Sequence, residues 1–167
     1  MGHKEHKKNA PRSLRVAIVT VSTSRGLEED TSGNWMNRQA GREGHSVVYH
    51  QVVPDEQPLI AQTVKAVIEE LGPDLMLING GTGISPRDVT LEAVRPLLEK
   101  EITAFAPLFA QLSFESVDSA AMLSRACAGT IGKSAVFCLP GSINACKLAC
   151  KALIFPEAGH LAGHLRE

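Results

Sequence analysis

The chain has 167 residues, of which 44% are hydrophobic and 4% aromatic, a size and balance that fit one α/β domain with a proper core. Seventeen basic against 18 acidic residues leave a formal charge of −1, which gives no reason to expect nucleic acid. No apolar run approaches the ~20 residues of a membrane span, and the N-terminus lacks the apolar core of a signal peptide. A cytoplasmic protein with no membrane partner is expected.

His3, Lys4, His6, Lys7 and Lys8 cluster at the start. So short a polar run can bury nothing, and residues 1–11 read as a flexible basic arm before a single domain over 12–167. Leu14–Val21 is a β-branched run and reads as a first strand buried on both faces. The polar stretch Ser22–Gly33 follows, and a helix is expected from about Asn34 to Arg42, ending at Gly44. His45–Val53 is a second strand, closed by Pro54-Asp55-Glu56-Gln57. Leu59, Ile60, Val64, Val67, Ile68 and Leu71 then repeat at helical spacing until Gly72-Pro73.

A short apolar run from Leu75 reads as a third strand and breaks into Gly80-Gly-Thr-Gly83, then Ser85, Pro86, Arg87 and Asp88. A helix is expected after Thr90 as N-cap, with Glu92 in its first turn. Strand, glycine loop and helix form a layout that aims backbone N–H groups at an anion. The loop is not a Walker A motif, since no Gly-Lys-Ser/Thr closes it. Nor is it a dinucleotide loop, since Pro86 stands where a third glycine belongs. A tight turn with no ligand is the plain alternative. Asp88 argues against it, because a carboxylate beside an anion-binding nest makes sense mainly with a cation present.

Pro96 marks a kink or boundary in the next helix. Ile102–Phe114 holds three of the five phenylalanines. Helix is expected over Ser119–Ala128, broken by Gly129 and Gly132. A fourth strand covers Ser134–Leu139 and ends in Pro140-Gly141-Ser142. Closing helices are expected over about Ser142–Ile154 and Glu157–Leu165. Cys127, Cys138, Cys146 and Cys150 lack CxxC spacing and read as buried reduced thiols. His160 and His164 share a helix face but have no third ligand in the pattern.

Strands alternating with helices predict a doubly wound, mostly parallel sheet with helices on both faces, in three layers. Ligands in such sheets bind beyond the carboxyl ends of the strands. Ser22–Gly33, Pro54–Gln57, Gly80–Asp88 and Pro140–Ser142 all leave those ends. They would bring amides and hydroxyls together with Asp30, Asp55 and Asp88.

Five motifs in order, Asp30-Thr-Ser-Gly33, Pro54-Asp55-Glu56, Gly80-Gly-Thr-Gly83 with Arg87-Asp88-Val-Thr90, Leu123-Ser-Arg125 and Leu139-Pro-Gly-Ser142, resemble the MoaB/MogA family of molybdenum cofactor biosynthesis. That family is related to the G domain of gephyrin. Thr23-Ser-Arg25, Glu29–Gly33 and Gln111–Glu115 look more like its MoaB branch. The resemblance implies molybdopterin as ligand and, in active members, Mg²⁺-dependent transfer of adenylate from ATP to the terminal phosphate of molybdopterin. It matches the two carboxylates linked to that activity to Asp55 and Asp88, read here as metal ligands or positioning groups. It implies ligand contacts from Ser22, Ser24, Arg25, Asp30 and Gly33, from Gly80, Gly81, Thr82, Gly83 and Arg87, from Ser113, Ser124 and Arg125, and from Pro140, Gly141 and Ser142. Arg25, Arg87 or Arg125 would supply fixed positive charge, a plain ion pair being the alternative for each. Leu91 stands where the family has proline, a change that only unsets φ at the first helical position.

The resemblance further implies a homotrimer or dimer of trimers, for which the apolar Ile102–Phe114 is the candidate surface unless it caps its own core. A downstream molybdate-inserting enzyme would take the product. The alternative function is a non-catalytic molybdopterin-binding or scaffold protein, against which the retained Asp55 and Asp88 argue.

Overall fold

The computed structural model describes residues 11–167, so the expected arm lies outside the described residues except for Pro11. Six strands form one sheet in the order β2-β1-β3-β6-β5-β4. They are β1 (Arg15–Val21), β2 (Ser46–Val53), β3 (Leu75–Asn79), β4 (Lys100–Glu101), β5 (Cys127–Ile131) and β6 (Ser134–Leu139). The four on the β2 side run parallel, and β5 and β4 extend the sheet antiparallel. Every residue of β3 and β6 is buried, as a strand covered on both faces requires.

The helices are α1 (Thr31–Arg42), α2 (Gln57–Leu71), α3 (Thr90–Val94), α4 (Phe105–Val117), α5 (Ile143–Ala149) and α6 (Phe155–Arg166). One core packs Val16, Ile18, Leu75, Leu77 and Phe137 against Met36 of α1, Phe105 and Phe109 of α4, Cys146 of α5 and Ala158 of α6. The other packs Val19, Val21, Met76, Ile78 and Val136 against Ile60, Val64 and Val67 of α2 and Leu91 and Val94 of α3. Alternate strand residues therefore feed opposite layers, the three-layer arrangement expected from the pattern.

Several boundaries differ from the sequence reading. α1 begins at Thr31 because Asp30 caps it, its Oδ1 accepting from the Gly33 N–H at 2.8 Å. Thr90 is not an N-cap: Val89 holds that position, and Thr90 Oγ1 instead donates to the Gly80 carbonyl at 2.8 Å. Pro96 lies in a 3₁₀ turn, Arg95–Leu97, that ends α3 after five residues. The closing helices are continuous, joined by a π segment over Cys150–Ile154, with Ser142 capping α5.

The largest correction concerns residues 119–128. A 3₁₀ turn covers Asp118–Leu123 and strand β5 begins at Cys127, so the expected helix is absent. Gly129 lies inside β5, and a Cβ there would strike the Lys100 carbonyl and Leu98 of the neighbouring edge. Gly132, at φ +56°, makes the two-residue turn to β6 with Lys133.

Candidate functional site

Thr20, Asn79 and Leu139 stand side by side in register at the carboxyl edge of β1, β3 and β6. Beyond them the chain turns away through small residues. Gly80 takes φ +93°, where a side chain would be strained and its Cβ would strike the Val21 carbonyl. Its N–H donates to the Leu139 carbonyl at 3.0 Å. The turns diverge around a cleft of about 580 Å³.

One wall of the cleft is a buried polar chain. The Asp30 carboxylate accepts from Thr20 Oγ1 at 2.6 Å and lies 2.8 Å from His50 Nε2. Thr20 Oγ1 in turn accepts from Asn79 Nδ2 at 2.7 Å. His50 Nδ1 lies 3.3 Å from Asn37 Nδ2, an amide donor, which leaves Nε2 to carry the proton toward Asp30. Burial pushes the Asp30 carboxyl up, but hydrogen bonds from His50, Thr20 and Gly33 outweigh it and leave the group below its usual range. It is therefore ionised at neutral pH.

Asp55 and Asp88 line the same cleft. Asp55 Oδ2 accepts from the backbone N–H and the hydroxyl of Thr23, both at 2.8 Å. A Cβ on Gly81 would lie 3.2 Å from Asp55 Oδ1 and also meet Val21 Cγ1 and Thr90 Oγ1. Asp88 Oδ2 accepts from the Ser85 N–H at 2.8 Å, and a Cβ on Gly83 would lie 2.8 Å from it. Two carboxylates therefore press on two glycines of one four-residue loop. Among the described residues no three His, Cys, Asp or Glu side chains group to hold a metal ion. The donor set suits a hard cation that takes one or two carboxylates and fills its remaining positions with phosphate oxygens and water.

Two residues of the cleft's lining carry a buried polar atom with no hydrogen-bond partner, Asn79 Oδ1 and Thr82 Oγ1. Buried polar groups are nearly always satisfied, so both mark places where a ligand or water completes the site.

Most of the residues singled out in the sequence meet in this cleft. Ser22, Ser24, Arg25 and Asp30 line it, as do Asp55, Gly80, Gly81, Thr82, Gly83 and Asp88, together with Ser124, Pro140, Gly141 and Ser142. Four do not. Gly33 is buried in α1, where a side chain would run into Asp30 and His50. Arg87 is exposed outside the cleft. Ser113 faces an adjoining apolar groove of about 610 Å³, lined by Phe109, Val117, Leu148 and Ala152 among others.

Arg125 braces the glycine loop from behind. Its Nε donates to the Thr82 and Gly83 carbonyls at 3.2 and 2.9 Å, and its Nη2 to the Asp88 carbonyl at 3.2 Å. Its charge is taken up by Glu92. Thr20, Asn79, Thr23 and His50 were missed by the sequence reading. The signal for the first two was strand register: a hydroxyl and an amide interrupt apolar runs near the carboxyl ends of β1 and β3.

A mostly parallel sheet covered on both faces, with a glycine-loop cleft and two carboxylates at its carboxyl edge, defines a doubly wound α/β protein. A family model described as "Probable molybdopterin binding domain" matches residues 17–160. "Molybdenum cofactor biosynthesis protein B" of Bacillus cereus is 47% identical over 162 residues, 96% of each chain. "Probable molybdopterin adenylyltransferase" of Methanocaldococcus jannaschii is 39% identical over 163 residues, 93% of this chain and 96% of the other. A crystal structure of a molybdenum cofactor biosynthesis protein B superposes with a TM-score of 0.91 at 45% identity, covering 95% of this chain and 99% of that one. The chain belongs to the MoaB/MogA family of molybdenum cofactor biosynthesis proteins.

Proposed function

We propose that this protein is a molybdopterin adenylyltransferase, joining the terminal phosphate of molybdopterin to the adenylate of ATP and releasing pyrophosphate. The observation that carries the reading is the placement of Asp55 and Asp88 against Gly81 and Gly83 of one loop, within a cleft lined by hydroxyls and small residues. The relative described as a probable molybdopterin adenylyltransferase supports it.

In this reading a phosphate oxygen of molybdopterin attacks the α-phosphorus of ATP, and the bond from that phosphorus to the β-phosphate oxygen breaks. The nucleophile is already largely ionised at neutral pH, its second pKa being ~6, so no strong general base is needed. The protein's work is positioning and charge compensation. Amides of Gly81–Gly83 and Gly141, with the hydroxyls of Thr82 and Ser142, cradle phosphate oxygens, whereas the Gly80 N–H is spent on the Leu139 carbonyl. Arg25 is the cleft's arginine, and Arg125 keeps the loop in shape. Asp55 Oδ1 and Asp88 would hold Mg²⁺, which supplies neutralisation of the polyphosphate charge.

The same reading gives residues 12–167 one molybdopterin-binding unit and a cytoplasmic, homo-oligomeric protein whose product passes to a molybdate-inserting enzyme. No described helix is long and apolar enough to cross a membrane.

The test is incubation of purified protein with molybdopterin, ATP and Mg²⁺, with detection of adenylyl-molybdopterin. Asp88→Asn removes charge while nearly preserving shape. It should lower transfer by about 10²–10³ or more, the cost of one lost electrostatic contact, while molybdopterin still binds. Asp55→Asn should match it, and the double variant should be little worse than either. A scaffold would give no ATP-dependent product from the wild-type protein. Full activity in Asp88→Asn would remove that residue from the mechanism.

A further inference from the structure

The orphaned oxygen of Asn79 has a direction that the surrounding hydrogen bonds dictate. An ionised Asp30 can only accept, so the Thr20 hydroxyl must spend its one proton on it at 2.6 Å. Thr20 Oγ1 is then left as an acceptor, and what reaches it at 2.7 Å must be the amide nitrogen of Asn79. The amide cannot be flipped without setting two acceptors against each other. Its Oδ1 is thereby fixed as a buried, unpaired acceptor on a residue that lines the cleft and is only 1% exposed. Thr20 and Asn79 join Asp30, the cap of α1. Asp55 sits with Gly81, Val21 and Thr90, and Val21 belongs to the core on the α2–α3 face.

An unpaired acceptor repels ionised phosphate, which has no proton to offer. The group that completes it must be a hydrogen-bond donor or a cation, and the functional reading assigns the cation to Asp55 and Asp88. Resting on the adenylyl-transfer reading, we propose that Asn79 is a specificity-determining residue, its Oδ1 accepting a hydrogen bond from an N–H group on the heterocycle of a substrate. Phosphates are then left to the glycine loop and Thr82, and the heterocycle is selected at Asn79. Two substrates carry such a group: the exocyclic amine of adenine, and the amide and amine edge of the pterin.

The experiment measures dissociation constants of ATP, purine riboside triphosphate (which lacks the exocyclic amine) and molybdopterin, for the wild-type protein and for Asn79→Leu. If adenine is read, the wild-type protein binds ATP about tenfold more tightly than the amine-free analogue, and Asn79→Leu erases that preference. If the pterin is read, Asn79→Leu weakens molybdopterin about tenfold and leaves ATP unchanged. Thr20→Val, which keeps Asn79 but frees its amide to turn, should weaken the same ligand threefold or more, and it serves if the leucine variant does not fold.

Unchanged or tighter binding of all three ligands in a variant with the wild-type circular dichroism and unfolding transition overturns the proposal. That is the behaviour of an acceptor satisfied by water alone. Failure of the wild-type protein to bind either substrate overturns the functional reading itself, and this inference with it.

Discussion

Asp30 shows how much one side chain can carry. It caps α1, receives Thr20 and faces His50, and its position sets the polarity of the cleft wall. Its folded pKa is depressed below the ordinary 3.8, so its stabilisation is complete above that value and is lost as pH falls through the folded pKa. Asp30→Asn should therefore cost about 1–3 kcal/mol at neutral pH, where buried donors lose an ionic acceptor. The gap between variant and wild type should begin to narrow below about pH 3.8, where the unfolded wild-type chain takes up its proton, and close as the folded carboxylate is protonated at lower pH. Urea midpoints at pH 7 and pH 3 would check this, and a gap that stays constant with pH would contradict it. Asp30 was legible in the sequence as part of a motif. Its partners were not, because Thr20, His50 and Asn79 converge from three strands and only the register of β1, β2 and β3 brings them together.

At the scale of elements, the parallel half of the sheet was readable because each strand is an apolar run followed by a turn and an amphipathic helix. The antiparallel half was not. β4 is two residues long, and β5 reads Cys-Ala-Gly-Thr-Ile, with a glycine where a breaker is the ordinary inference. Gly129 is there for space: the Lys100 carbonyl and Leu98 leave no room for a methyl group. A single chain without its fold gives no sign of that crowding. Gly129→Ala should push β4 off the edge of the sheet and lower stability by about 1–3 kcal/mol, the cost of overpacking. Chemical denaturation measures the loss, and hydrogen exchange at Glu99 and Ile102, whose N–H groups donate to the Thr130 and Ala128 carbonyls across that edge, should rise first. Wild-type stability in the alanine variant would show that the edge yields at no cost.

The whole molecule has a surface that a lone chain would not be expected to keep in water. Ile102–Phe114 was read as either a cap on its own core or an oligomer face, and the structure divides it. Phe105 and Phe109 are buried with Phe137, whereas Leu108 and Phe114 point outward. Val117, Met122 and Leu123 continue the apolar surface through the 3₁₀ turn, with Phe114 59% and Met122 82% exposed. Scattered apolar residues are normal on a surface, but a run of large ones over fifteen or so positions invites association. The apolar groove beside the cleft, with Val117 in its lining, adjoins this run. We therefore expect a mass by light scattering at micromolar concentration that is a multiple of the single chain, a trimer or a pair of trimers. Phe114→Lys with Met122→Lys should shift that mass toward the monomer without loss of helical circular dichroism, because neither side chain supports the core. A monomeric wild-type protein would sink the assembly claim. An oligomer unmoved by the two lysines would place its interface elsewhere on the molecule.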